Sequence, residues 1–219
     1  MKPHRTNADA VHAAIPVNML RASKTRLAHS LNAENRRNLS AAMLVDVLRA
    51  LRKVREIHRI TVVSADRSVR RIAKEMGVNF LWEGKRRDLN KAVRLAIRDA
   101  LRRGATASLI LPSDIPLVTA HEIAHFLKLS GNYSITISPS MDGYGTNALL
   151  LRPPGAIKPA FGQNSFRAHL TSAHRKHLST KVVNLNGIAF DVDNPSDLPL
   201  LMHATTRIAS KRILSDIDL

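Results

Sequence analysis

Short aliphatic and β-branched runs alternate along this chain with longer stretches in which apolar residues return every three to four positions. The first kind predicts strands at Ala13 to Val17, Ile60 to Val63, Val78 to Trp82, Ser108 to Leu111, Ser134 to Ser138 and Ala148 to Leu151. The second predicts helices near 33–53, 67–76, 89–103, 119–130 and 165–177. The first helix is the clearest. Leu39, Met43, Leu44, Val47, Leu48 and Leu51 form one apolar stripe, leaving Arg36, Arg37, Arg49, Arg52 and Lys53 mostly to water. Strand and helix in alternation give an α/β fold with a mostly parallel sheet, and right-handed crossovers then place helices on both faces.

Length allows one large domain or at most one and a half, and the pattern runs unbroken from 11 to 208 as a single domain. Residues 1–10 read as a flexible arm and 209–219 as a charged tail. No apolar run approaches the ~20 residues of a membrane helix, and MKPHRTNADA has no signal-peptide core, so a cytoplasmic protein without a membrane partner is expected. A homodimer is compatible with such a chain. The absence of cysteine excludes disulfides, thiolate zinc sites, iron–sulfur clusters and cysteine nucleophiles.

Charge changes the picture, because 34 Lys and Arg stand against 17 Asp and Glu, a net +17. Such a surface meets either a nucleic-acid backbone or small phosphorylated molecules. Aromatic residues at 4% are few for stacking on unpaired bases, and the chain carries none of the usual nucleic-acid readers, which makes nucleic acid the weaker partner. Basic residues on helix faces, among them Arg70, Arg71, Arg86, Arg87, Arg102 and Arg103, read as solvated.

In a parallel α/β sheet, ligands bind beyond the carboxyl ends of the strands, so the loops there hold the candidate chemistry. Asp114 sits at a strand end between Pro112 and Pro116, either a turn aspartate or a metal ligand. Asp191 and Asp193 are two apart in an extended segment, so both carboxylates point one way. Three such groups from two loops form an all-oxygen set of the kind Mg²⁺ prefers. Asn194, Pro195 and Asp197 read as the capped start of a helix, which leaves Asp197 outside the site. Arg21, Lys24 and Arg26 crowd the start of a helix, a place for cations only if an anion joins them, or else a solvated basic turn. Gly143 to Asn147 and Phe161 to Ser165 are either ordinary turns or backbone, hydroxyl and amide donors for phosphate or carboxylate oxygens. Neither a Walker loop nor a dinucleotide fingerprint is present.

His121-Glu122-Ile123-Ala124-His125 satisfies the H-E-x-x-H zinc motif. The metzincin continuation fails at Lys128 and Gly131, and no glutamate follows Glu122. Thr119 with Glu122 instead spells a capping box, which is the preferred reading.

Taken together, the loops resemble those of the guanylyltransferases of deazaflavin (factor-420) coenzyme biosynthesis, which act on 2-phospho-L-lactate or phosphoenolpyruvate. The matching stretches are Ala14 to Val17 with Ser23 to Ala28, Ala42 to Asp46, Asp88 to Asn90, Ser113 to Pro116, Gly145 to Leu149, Phe161 to Ser165 with His169, and Asp191 to Asp193 with Pro195, Asp197 and Leu198. The resemblance implies a nucleotide-diphosphosugar transferase (GT-A-like) fold, GTP and a small phosphorylated carboxylic acid as partners, and Mg²⁺ as cofactor. It also implies Mg²⁺ ligation by Asp114, Asp191 and Asp193, acid binding by Thr146, Gly162 and Ser165, and triphosphate contacts from Lys24 and Arg26. Lys24, Arg26 and Asp114 are then the catalytic set, and Asn90 lies on the nucleotide side. Where that family usually carries a lysine after the first strand, this chain has Asn18, with Arg21 the nearest replacement. A sugar-phosphate or molybdopterin acceptor is the second reading, set lower because such enzymes commonly show a glycine-rich first loop.

Overall fold

The computed structural model describes residues 10–84, 88–206 and 208–217. The arm expected at 1–10 therefore lies almost wholly outside the described residues, as do Arg86 and Arg87. Seven strands form one sheet: β1 (Val11–Pro16), β2 (Ile57–Ser64), β3 (Asn79–Trp82), β4 (Ala107–Ile110), β5 (Ile135–Pro139), β6 (Thr146–Leu151) and β7 (Thr180–Val182). Their order is β3-β2-β1-β4-β6-β5-β7. Only β6 runs against its neighbours, pairing antiparallel with β4 and β5. The chain winds outward from β1 to β3, then crosses back to β4 on the other side of β1. The carboxyl ends of β1 and β4 thus flank the switch point where an open α/β sheet leaves a crevice.

Helices α1 (Ala33–Leu51), α2 (Arg67–Glu75), α3 (Leu89–Arg102), α4 (Ala120–Ser130) and α5 (Ser165–Arg175) match the predicted ones to within a few residues. Leu44, Val47 and Leu48 of α1 pack with Ile123 and Phe126 of α4 on one face of the sheet. Val93, Ala96 and Ile97 of α3 and Ala173 of α5 cover the other. Burial of these aliphatic side chains, at about 25 cal/mol per Å² of apolar surface removed from water, is what holds the layers together.

Helix α7 (Asp197–His203) follows the helix start read at Asn194 and Pro195, whereas three elements escape the sequence pattern: β7, α6 (Asn186–Ala189) and α8 (Ala209–Ser215). Each is too short for a period of two or 3.6 to repeat. The expected charged tail is in fact α8, docked into the domain. Its Leu214 is fully buried beside Leu39 and Met43, and its first amides, those of Ala209 and Ser210, donate to Asp46 of α1 at 2.7 and 2.8 Å. Asp46 caps α8 from 163 residues away, a role invisible to any local pattern.

Candidate active site

The loop after β1 is a pair of 3-10 turns, Leu20–Ala22 and Thr25–His29, rather than the start of a regular helix. Leu20 and Leu27 bury completely and anchor it. The Leu20 amide donates to Asp66 at 2.9 Å, and Ser23 Oγ donates to the Leu20 carbonyl at 2.7 Å. Held at both ends, the turn forces Lys24 into the left-handed region at φ 54°. That conformation sends its side chain inward, where it is only 7% exposed. Nζ lies 2.6 Å from Asp114 and 2.7 Å from Asp193. Burial works against the ammonium, but the two carboxylates outweigh it and hold the Lys24 pKa above its ordinary value. Arg26, mostly exposed, reaches Asp193 at 3.6 Å.

Asp191 and Asp193 flank Val192, which is fully buried, and the Val192 amide donates to the Asp114 carbonyl at 3.0 Å. The expected alternation holds, since both carboxylates line one cavity of about 750 Å³. Asp197 accepts from the amides of Asp193 and Asn194 at 2.9 and 2.7 Å, although the helix begins at Asp197 with Ser196 before it, two residues later than the cap expected at Asn194. Asp197 thereby fixes the Asp193 backbone. Asn147 donates to Asp191 at 3.0 Å and to the Ala189 carbonyl at 2.9 Å. Burial first, then the neighbouring Asp114 and Asp193, push the Asp191 carboxyl up to about 6, with Asn147 opposing. Such a crowded acid favours a cation beside it.

Because β6 is antiparallel, its first residue, Thr146, lies at the same sheet end as the last residues of β1 and β4. Gly145, Gly162 and Asn164 line the cavity that Asp191 and Asp193 share. A Cβ on Gly145 would stand 2.6 Å from Ser140 Oγ, so the hairpin closes this tightly only with glycine. Gly162 adopts φ 129°, open to glycine alone. Thr146 follows Gly145 directly and Ser165 lies three residues after Gly162; their hydroxyls are 3.2 Å apart and both side chains are buried. A second cavity, of about 320 Å³, runs from Pro16 past Ser23, Lys24 and Asp114 to Phe161. Asp193 belongs to both cavities.

The geometry gives some residues other tasks than the sequence suggested. Asn90 pairs with the Phe161 backbone, donating to the carbonyl at 2.9 Å and accepting from the amide at 2.7 Å. Asn18 and Arg21 are exposed. Glu122 accepts from the Thr119 amide and hydroxyl and, at 2.7 Å, from the Gly187 amide, completing the capping box and tying α4 to α6. His121 and His125 stack in the open, with ring centroids 6.1 Å apart. Sequence reasoning offers Asn147 only as a donor in the Gly143 to Asn147 turn and leaves Asp197 outside the site, so it misses Asn147 as the partner of Asp191 and Asp197 as the anchor of Asp193. The Thr-Asn that opens β6 was the available signal.

Asp114, Asp191 and Asp193 come together, with Lys24 between Asp114 and Asp193. Among the described residues no three His, Asp or Glu side chains are gathered closely enough to ligate one ion. That arrangement still fits Mg²⁺, which usually takes one or two carboxylates and fills its remaining positions with water and substrate phosphates.

Residues 11–219 match the family model described as "Guanylyl transferase CofC like". The chain belongs to this family. A phosphoenolpyruvate guanylyltransferase of Sphaerobacter thermophilus is 39% identical over 187 residues, covering 85% of this chain and 89% of its own. A 2-phospho-L-lactate guanylyltransferase of Methanobrevibacter smithii is 33% identical, covering 96% and 92%. Among solved structures, a Desulfovibrio desulfuricans protein described as a nucleotide-diphospho-sugar transferase superposes with a TM-score of 0.76 at 18% identity, covering 94% of both chains. A cytidylyltransferase from Leptospira borgpetersenii gives 0.63 at 12% identity, covering 95% and 94%. Those two likenesses establish the nucleotide-diphosphosugar transferase fold. As a CofC-like guanylyl transferase, the chain is a nucleotidyltransferase.

Proposed function

We propose that this enzyme transfers GMP from GTP to phosphoenolpyruvate or 2-phospho-L-lactate and releases pyrophosphate. One observation carries the reading: two cavities meet at Asp193, where Lys24 faces Asp114 across the switch-point crevice. A nucleotide in the smaller cavity and a phosphorylated acid in the larger one would bring their phosphates together at that point. The relatives named for these two acids support the choice of acceptor.

A phosphate monoester is largely dianionic near pH 7, its second pKa being about 6, so it attacks without a general base. One of its oxygens forms a bond to the α-phosphorus of GTP. The bond from that phosphorus to the bridging oxygen breaks, and its electrons leave with pyrophosphate. What the protein must add is alignment and relief of repulsion between anions. Lys24, released from its carboxylates, and Arg26 neutralise the departing pyrophosphate, while the Thr146 and Ser165 hydroxyls and the Gly162 backbone hold the acid. One or two of the carboxylates of Asp114, Asp191 and Asp193 would hold Mg²⁺, which when bound would supply charge neutralisation at the triphosphate.

The test is direct: incubate the purified protein with GTP, Mg²⁺ and each of phosphoenolpyruvate, 2-phospho-L-lactate and 3-phosphoglycerate, and measure pyrophosphate. Release with either of the first two is expected. Release with none of the three rejects the reading.

A further inference from the structure

Behind the acid-binding hydroxyls lies a histidine that the reaction just described does not use. His169 of α5 is completely buried. Its ring meets Phe161 edge-on, centroids 4.9 Å apart, and the Phe161 backbone is itself clamped by Asn90. The Ala160 amide donates to Nε2 at 2.9 Å, and an N–H can be received there only by the lone pair. The single ring proton of the neutral imidazole therefore sits on Nδ1. That nitrogen lies 3.1 Å from Thr146 Oγ1, to which it donates.

From this geometry we infer that His169 is a positioning residue, whose fixed Nδ1–H tautomer makes the Thr146–Ser165 pair a hydrogen-bond donor toward the anionic acceptor. Thr146 and Ser165 own two hydroxyl protons, and the 3.2 Å bond between them uses one. Since His169 offers a donor, the other proton meets no acceptor in the cluster and is left for an incoming oxygen. In the opposite tautomer Nδ1 would accept the Thr146 proton, Ser165 would donate to Thr146, and only lone pairs would face the anion. Donor would become repeller. Burial also lowers the His169 pKa to about 4, so the ring keeps its Nε2 lone pair at neutral pH.

This inference rests on the proposed acid site, and its test separates the two. Long-range ¹⁵N–¹H NMR of the full chain at pH 7, with His169 assigned by comparison to His169→Asn, reads the tautomer without any turnover. A proton on Nδ1 supports the inference, whereas a proton on Nε2, or on both nitrogens, overturns it. In kinetics with phosphoenolpyruvate and 2-phospho-L-lactate, His169→Leu should raise KM for the acid about tenfold, one hydrogen bond to a charged group, and leave KM for GTP within about twofold. His169→Asn, whose amide N–H takes the place of Nδ1–H, should recover most of that loss. Equal rises in both KM values without recovery by Asn would show a merely structural role. Should His169→Leu fail to fold, the wild-type spectrum and the Asn variant still decide. Wild-type inactivity with every acid, beside an Nδ1 proton, rejects the functional reading alone. Turnover beside an Nε2 proton rejects this inference alone.

Discussion

Single residues at the crevice are set for chemistry at some cost to stability. Asp191 shows this best. A carboxyl whose pKa rises from 3.8 unfolded to about 6 folded favours the native state only while protonated. Its penalty is absent well below pH 4, grows as pH climbs from about 4 to 6, and is complete above that. Asp191→Asn keeps the Asn147 contact and removes the charge. The variant should melt higher at pH 7.5, by about 3 °C if solvent screening leaves about 1 kcal/mol of the penalty. Its advantage should shrink steadily between pH 6 and pH 4, while pyrophosphate release is lost. A melting advantage that does not change with pH would mean that charge is not its origin. Lys24→Met should act in the opposite direction, leaving Asp114 and Asp193 without their bridging ammonium. Removing one partner of a fully buried ion pair costs about 3–5 kcal/mol. With the Asp193 side chain 41% exposed, about 1–2 kcal/mol is expected here by thermal denaturation. Turnover should fall at least about a hundredfold in the same variant.

At the scale of elements, short motifs that look chemical prove to be joints. The H-E-x-x-H segment opens α4 with a capping box, and its glutamate also receives the Gly187 amide. Thr119→Ala should therefore cost about 1 kcal/mol of stability, and Glu122→Ala more. His121→Ala with His125→Ala should leave turnover unchanged, and the purified wild type should carry no stoichiometric zinc in a colorimetric assay. Loss of turnover in that double variant would reopen the metal question. α8 behaves as a buckle rather than a tail. Leu214→Ala should destabilise by about 2–4 kcal/mol, measured by urea denaturation, because Leu214 fills a closed space against α1. A surface leucine would cost far less, so a change below about 0.5 kcal/mol would contradict the docking.

Across the whole molecule, part of the net charge of +17 lies away from the two cavities that meet at Asp193. Arg70, Arg71, Arg102 and Arg103 are exposed on helix surfaces and line neither of the two cavities that meet at Asp193. Arg71 pairs with Glu75 and Arg103 with Asp99, and exposed charges of this kind are screened over about 10 Å at ordinary salt. Changing all four to Gln should leave kcat/KM within about twofold in low salt and make the protein elute earlier from a cation exchanger. A larger fall in kcat/KM that added salt reproduces in the wild type would instead show that this surface steers the anionic substrates.

The α/β architecture was legible because five long helices and six strands repeat their period often enough to be recognised, and because winding rules leave few ways to arrange them. Asp114, Asp191 and Asp193 were legible as well, through their place at strand ends and the two-residue spacing of the last pair. Tertiary structure alone decided that Lys24 lies between two of these carboxylates, since its left-handed backbone sits between the buried anchors Leu20 and Leu27. It alone made Asn90 a clamp on Phe161, Asp46 a cap for α8 and His169 a hydrogen-bond partner of Thr146, residues 71, 163 and 23 positions distant in the chain. Periodicity records which face of an element is buried. A buried polar group takes whatever partner the packed chain brings within about 3 Å, and that choice is made only when distant segments meet.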